Sequence, residues 1–231
     1  MKVGIDIDGI ILDFERTMRT YAELYDLLIL RKNGVVNPNE FDYLKRYDWT
    51  EEERTRFIDD YLVYATINST PLIPLVKEML KLFKVEGINY TFITSRGLLR
   101  KDTKNAVLTV FEKNDLPTDN IYFGVEDKVL KCKELGIDIM IEDKPSTCKL
   151  LRNENIKTLY FRDKENEKLD EDSYLIEVSN IGEICRCIFK INGLRNSSST
   201  YNRILKKAVA WLYMLLPFFF NSLIFHGMYV K

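Results

Sequence analysis

Short apolar runs recurring between helix-length polar segments constrain this chain more than any other feature. Residues 3–7 form the first run, which closes on acids. Residues 89–94, 120–123, 138–141 and 156–161 are four more, each too short for a helix and rich in β-branched or aromatic side chains. Between them lie helix-length stretches at 12–30, 74–86, 101–114, 126–135 and 145–153. Gly87 and Gly136 stand where helix C-termini favour a left-handed residue. Strands alternating with helices of this length predict an α/β fold, a parallel sheet covered by helices on both faces. In such sheets ligands bind beyond the carboxyl ends of the strands, so the residues just after each run carry the chemistry.

One stretch breaks the alternation. Residues 37–70 hold no strand pattern, and Thr50-Glu51-Glu52-Glu53 is a capping box opening a helix that runs to about Ala65. Its apolar and aromatic positions, Phe57, Tyr61, Leu62 and Tyr64, call for a packing partner. The expected organisation is a core of residues 1–32 and 75–191 with a small helical cap at about 33–74. Turn residues at 33–37 and 68–74 suit a hinge. Phe14, Tyr43, Tyr47 and Trp49 form either a base-stacking surface or the cap's own small core.

Composition removes most other chemistries. With 34 basic and 35 acidic residues there is no excess charge for a nucleic-acid polymer. A single histidine, His226, and four cysteines without a Cys-x-x-Cys pair leave no basis for a Cys/His zinc site, a disulfide framework or a histidine-based triad. Free thiols and an opening too short and acidic for a leader's apolar core point to the cytoplasm.

The charge is unevenly spread: from Glu183 onward seven basic residues face one acid. A polar linker at 192–203 leads into an apolar tail, expected to be helical, at 204–231, in which residues 208–225 carry no charge. Such a tail spans a membrane, lies at its inner face or packs on a partner domain.

Three strand ends collect the reactive groups. The first run ends in Asp6-Ile7-Asp8-Gly9, the second in Thr94-Ser95-Arg96-Gly97 and the fourth in Glu142-Asp143-Lys144-Pro145. Alternation along a strand points Asp6 and Asp8 the same way, and Gly9 permits a sharp turn. Carboxylates converging from two strand ends repel unless a hard cation joins them, and Mg²⁺ suits few carboxylates together with a phosphate. Phosphate monoester hydrolysis needs a nucleophile, a proton donor and positive charge at the phosphoryl oxygens. Aspartates, the Thr94-Ser95 hydroxyls and backbone, and a lysine supply these.

Asp6-x-Asp8-Gly9, Ile93-Thr94-Ser95-Arg96 and Ile141-Glu142-Asp143-Lys144-Pro145, in this order around a helical insertion, resemble the haloacid dehalogenase-like phosphohydrolase superfamily. Within it, the GIDIDGII, FDYLKRYDWTEEERTRF and IEDKP segments are most like the 5′(3′)-deoxyribonucleotidase (cytosolic type C) branch and its bacterial relatives. The resemblance covers about residues 1–191 and implies a Rossmann-like core. It implies Asp6 as nucleophile and Mg²⁺ ligand, and Asp8 as general acid/base with its carbonyl on the metal. It further implies Thr94 on the phosphate and Asp143 completing the metal site, with Glu142 beside it. Of Lys128, Lys131 and Lys133, Lys128 is expected at the site, because its helix must start near the carboxyl edge and run away from it. Arg96 either binds substrate or sits in a solvated loop. The expected activity is a Mg²⁺-dependent phosphatase working through an aspartyl-phosphate on a small phosphorylated substrate, best a (deoxy)nucleoside 5′-monophosphate. The alternatives are a sugar- or lipid-linked phosphate met at a membrane, or a module of a larger membrane-associated protein.

Overall fold

The computed structural model describes residues 1–163 and 166–193 of the 231. It divides into two units, Met1–Cys185 and Arg186–Lys231. The helical tail expected at 204–231 lies outside the described residues. Among those described, no helix is long and apolar enough to cross a membrane.

The first unit is built on one parallel sheet. Among the described residues it has six strands: β1 (Lys2–Ile5), β2 (Asn89–Ile93), β3 (Ile121–Tyr122), β4 (Ile139–Glu142), β5 (Lys157–Phe161) and β6 (Leu175–Val178), in the order β3-β2-β1-β4-β5-β6. Five of these occupy the predicted runs; β6 is an addition. The helices between them are α1 (Phe14–Tyr25), α2 (Glu51–Asn68), α3 (Val76–Val85), α4 (Lys101–Lys113), α5 (Lys128–Leu135) and α6 (Pro145–Asn153), and α7 (Ile181–Ile191) follows β6.

Both faces of the sheet are covered. Tyr90 and Phe92 point to one side, where Phe83 of α3 and Phe111 of α4 meet them at ring-centroid distances of 6.2 and 5.3 Å. Ile93 and Met140 point to the other, against Val125, Cys132 of α5 and Leu151 of α6. Gly4 makes that side possible, since a Cβ there would stand 2.7 Å from the Met140 sulfur. Each such apolar side chain taken fully out of water contributes about 1.5–3 kcal/mol, which is what holds the strand ends at fixed positions.

The helical insertion has its own core. Tyr25 of α1 lies 5.1 Å from Trp49, 5.3 Å from Phe57 and 5.8 Å from Tyr61. Helix α1 therefore belongs to the insertion, although the sequence pattern assigned it to the core. Asp26, fully buried, accepts hydrogen bonds from the Trp49 indole (2.6 Å) and the Gly34 amide (2.8 Å), tying the end of α1 to the loop that follows. The Thr50 capping box is complete in both directions.

Of the two expected linkers, 68–74 is a crossing point between core and insertion and 33–37 is not. Asp13 donates to the Pro71 carbonyl and Ile73 to the Ile11 carbonyl, both at 2.9 Å. Entry at 11–13 thus runs beside exit at 71–73. The 33–37 segment, expected as a hinge, lies instead within the insertion, where the Val36 and Asn37 amides bond the Arg46 carbonyl.

Candidate active site

Strand β1 leads into β2 and β3 on one side, and β4 returns to its other side, so the sheet reverses direction between β1 and β4. That switch point is where a parallel sheet opens a crevice at its carboxyl edge. Asp6 follows β1 and continues its ladder by donating its amide to the Ile141 carbonyl at 3.0 Å. Glu142 ends the neighbouring β4 and Asp143 follows it, so three carboxylates arrive side by side.

Their ligand atoms lie within 4.8 Å of one another, and all three residues are buried. Lys128, at the first turn of α5, places its Nζ 2.7 Å from Asp6 Oδ2 and 2.6 Å from Glu142 Oε2. Burial opposes the Lys128 charge, but Asp6 and Glu142 more than offset it and hold the ammonium above its ordinary range. Glu142 also accepts the Lys144 amide at 3.1 Å. Asp143 has no hydrogen bond or ion pair to any described residue. Burial first, then Glu142 and Asp6, raise its carboxyl well above the usual range. Burial and Glu142 likewise push Asp6 up to about 7, with Lys128 pulling the other way.

Gly9 shapes the turn over these groups. Its φ of +75° is accessible to few side chains, and a Cβ there would stand 1.9 Å from Asp143 Oδ2. The chain passes so close to Asp143 that any side chain at position 9 would displace that carboxyl.

Asp8 is not one of the three clustered carboxylates, though it lines the same cavity. Both its oxygens are taken by Arg96, at 2.7 Å from Nε and 3.0 Å from Nη2. Arg96 is thus buried, not part of a solvated loop. Thr94 is buried and accepts the Arg96 amide on its hydroxyl at 3.2 Å, while Ser95 is exposed and lines the cavity. Lys131 and Lys133 pair instead with Glu134 and Glu154 on the surface.

A cavity of about 680 Å³ opens over Asp6, Asp8, Lys128, Glu142 and Asp143. Its other wall comes from the insertion: Phe14, Glu15, Phe41, Asp42 and Tyr43. Tyr47 and Trp49 do not reach it; they stack on each other at 4.5 Å inside the insertion's core. Glu15 was not anticipated. Its Oε2 is enclosed with no hydrogen-bond partner, and burial, followed by Asp8, pushes its carboxyl up to about 8. Its place on α1 one residue after Phe14 was legible, but its approach to the site depends on how the insertion folds back.

Comparison with known proteins agrees with this architecture. No family model matches the chain. A relative from Chlorobaculum tepidum named "Putative 5′(3′)-deoxyribonucleotidase" is 26% identical, the match covering 73% of this chain and 82% of the relative. A haloacid dehalogenase-like family hydrolase from Streptococcus pneumoniae superposes with a TM-score of 0.56 at 13% identity, over 81% of this chain and 97% of its own. One from Xanthomonas campestris gives 0.55 at 15% identity, over 84% and 96%. At such identities the solved structures speak to the fold.

Proposed function

We propose that this chain, whose fold is that of the haloacid dehalogenase-like hydrolases, is a phosphomonoester hydrolase with Asp6 as its nucleophile. The observation that carries this is the cluster at the switch point: Asp6, Glu142 and Asp143 together, with Lys128 bridging two of them.

With all three carboxyls ionised, one ammonium leaves two negative charges unmatched in a buried site. Asp143 in particular has no cation beside it. This donor set fits a hard divalent ion with oxygen ligands, and Mg²⁺ is the one proposed; Asp6, Asp143 and the Asp8 carbonyl would hold it, with Glu142 beside them. When bound, the ion supplies positive charge at the phosphoryl oxygens.

The chain's own residues divide the reaction into two displacements. An Asp6 oxygen attacks phosphorus, the bond to the leaving oxygen breaks, and Asp8 gives that oxygen a proton. Water then attacks the aspartyl-phosphate, Asp8 takes the water's proton, and Asp6 is freed as inorganic phosphate leaves. Lys128 fixes the Asp6 carboxylate and offsets phosphoryl charge. The Ser95 hydroxyl and the amides around Thr94 orient the phosphate. Water exclusion falls to the insertion, whose Phe14, Phe41 and Tyr43 wall the cavity.

The best substrate reading is a (deoxy)nucleoside 5′-monophosphate. It is supported by the relative named for such an activity and by a cavity in the size range of small-molecule sites with aromatic residues opposite the carboxylates. A panel of deoxy- and ribonucleotides, sugar phosphates and a lipid phosphate, assayed for phosphate release with Mg²⁺ or EDTA, tests it. Mg²⁺-dependent release, largest for nucleotides, is expected. Asp6→Asn should lower it on the order of 10⁴-fold or more, as loss of a nucleophile does. Release that survives Asp6→Asn would remove the mechanism, and a preference for lipid or sugar phosphate would replace the substrate.

A further inference from the structure

Arg96 joins the loop after β2 to the turn after β1 and to both α1 and α2 of the insertion. Its backbone belongs to the loop after β2 and is held on both sides: its amide donates to Thr94 Oγ1 at 3.2 Å, and its carbonyl accepts from Gly124 at 2.7 Å. Its guanidinium grips both oxygens of Asp8. The plane of that group lies over the Phe14 ring, with Cζ 4.0 Å from the centroid, and Phe14 opens α1. The remaining terminal nitrogen, Nη1, donates to Thr66 Oγ1 at 3.2 Å, on α2. The Thr66 hydroxyl gives its own proton to the Leu62 carbonyl at 2.7 Å, so its oxygen is oriented to accept.

We propose that Arg96 is a positioning residue: it sets the orientation of Asp8 and, through Phe14 and Thr66, ties that orientation to the seating of the helical insertion. The inference rests on the phosphatase reading above, in which Asp8 moves the protons. Direct binding of substrate by Arg96 does not suit the geometry. All three of its nitrogens are already bonded within the protein, and its side chain is 6% exposed. A role as simple ballast does not suit it either, because burying an ion pair brings little net stability. The planar fork offers orientation: a bidentate contact fixes both the distance and the rotation of a carboxylate, which a single ammonium cannot do. Thr66 and Phe14 then fix the fork from the insertion's side. Asp8 is correctly aimed when α1 and α2 are seated, so proton transfer is coupled to the presence of the cavity's second wall.

The test separates proton donation from everything else. Leaving-group release is followed in single turnovers with Mg²⁺ present, for a nucleoside monophosphate, whose alkoxide needs a proton, and for p-nitrophenyl phosphate, whose phenolate does not. Wild-type release of both establishes the phosphatase reading first; silence there would remove that reading and this inference together. Arg96→Lys keeps a charge and loses the fork. It should slow nucleoside release about 10–100-fold, part of the 10²–10⁴-fold that a placed acid contributes, with KM nearly unchanged. Nitrophenol release should change by less than about 3-fold, since it lacks that requirement.

Thr66→Val preserves shape and removes only the acceptor for Nη1, so it serves even if the arginine variant fails to fold. It should show the same substrate-selective loss, smaller, about 3–10-fold, as expected for a misplaced catalytic group. Equal losses on both substrates would reduce Arg96 to a structural part and overturn the proposal. Unchanged or faster nucleoside release in either variant would do so as well.

Discussion

Lys128 sits buried between two carboxylates, and the balance there is set by charge as much as by shape. Removing a partner from a buried pair costs far more than the pair itself contributes, because the abandoned charge stays buried. Lys128→Met should therefore lower unfolding free energy by about 3–5 kcal/mol at pH 8, read from urea midpoints. The loss should shrink at pH 5.5. Asp6, with a carboxyl raised to about 7, takes up a proton as pH falls through that value and relieves its repulsion with Glu142. An equal loss at both pH values would count against this assignment of charges. The choice of Lys128 was legible because helix direction alone separates it from Lys131 and Lys133. The Asp8–Arg96 pair was not. The partners stand 88 positions apart, and periodicity says which face a side chain takes without saying what it meets there.

Among the elements, those with caps and long apolar periods were the readable ones. Thr50 shows why: its hydroxyl accepts the Glu53 amide while the Glu53 carboxylate accepts the Thr50 amide, so the signal is local and the structure uses it unchanged. Thr50→Ala should cost α2 about 1 kcal/mol, seen as a drop of a few degrees in Tm with the carboxylate site intact. Strand β6 was not readable. Leu175–Val178 is four residues long, follows an acidic stretch and, among the described residues, has only β5 to pair with, so its identity as a strand depends on a neighbour already in place. The helix read at 12–30 does end at Leu30, but the form of its last turn was not readable. It widens into a π-helical turn, Asp26–Leu30, and closes at Arg31 with a φ of 57°. The pull of Asp26 toward Trp49 and Gly34 decides it, and those contacts are tertiary. Tyr47 and Trp49 follow the same logic: their aromatic character was plain, and only the folded insertion shows them turned inward.

For the molecule as a whole, the raised carboxyls of Asp6 and Asp143 link stability to pH and to the cation. Both keep protons in the folded state that the unfolded chain releases near ordinary carboxylate values, so the metal-free protein loses stability as pH rises from about 4. For Asp6 the loss is complete above about 7. A cation bound by the same oxygens competes with those protons and stabilises the folded state by mass action. Added Mg²⁺ should therefore raise Tm more at pH 8 than at pH 5.5, and Asp143→Asn should abolish most of the difference. A shift independent of pH would place the ion elsewhere. The crossing at 11–13 and 71–73 has a separate consequence. Everything from Asp13 to Pro71 leaves and rejoins the sheet through adjacent backbone, with a hydrogen bond closing the base of the loop. Topologically the insertion is a cassette: a short turn in its place would leave the strand order unbroken and the carboxylate triad standing in the open. The three carboxylates and the wall that faces them thus come from separable stretches of chain, and a different cassette on the same two posts would set the same triad against a different wall.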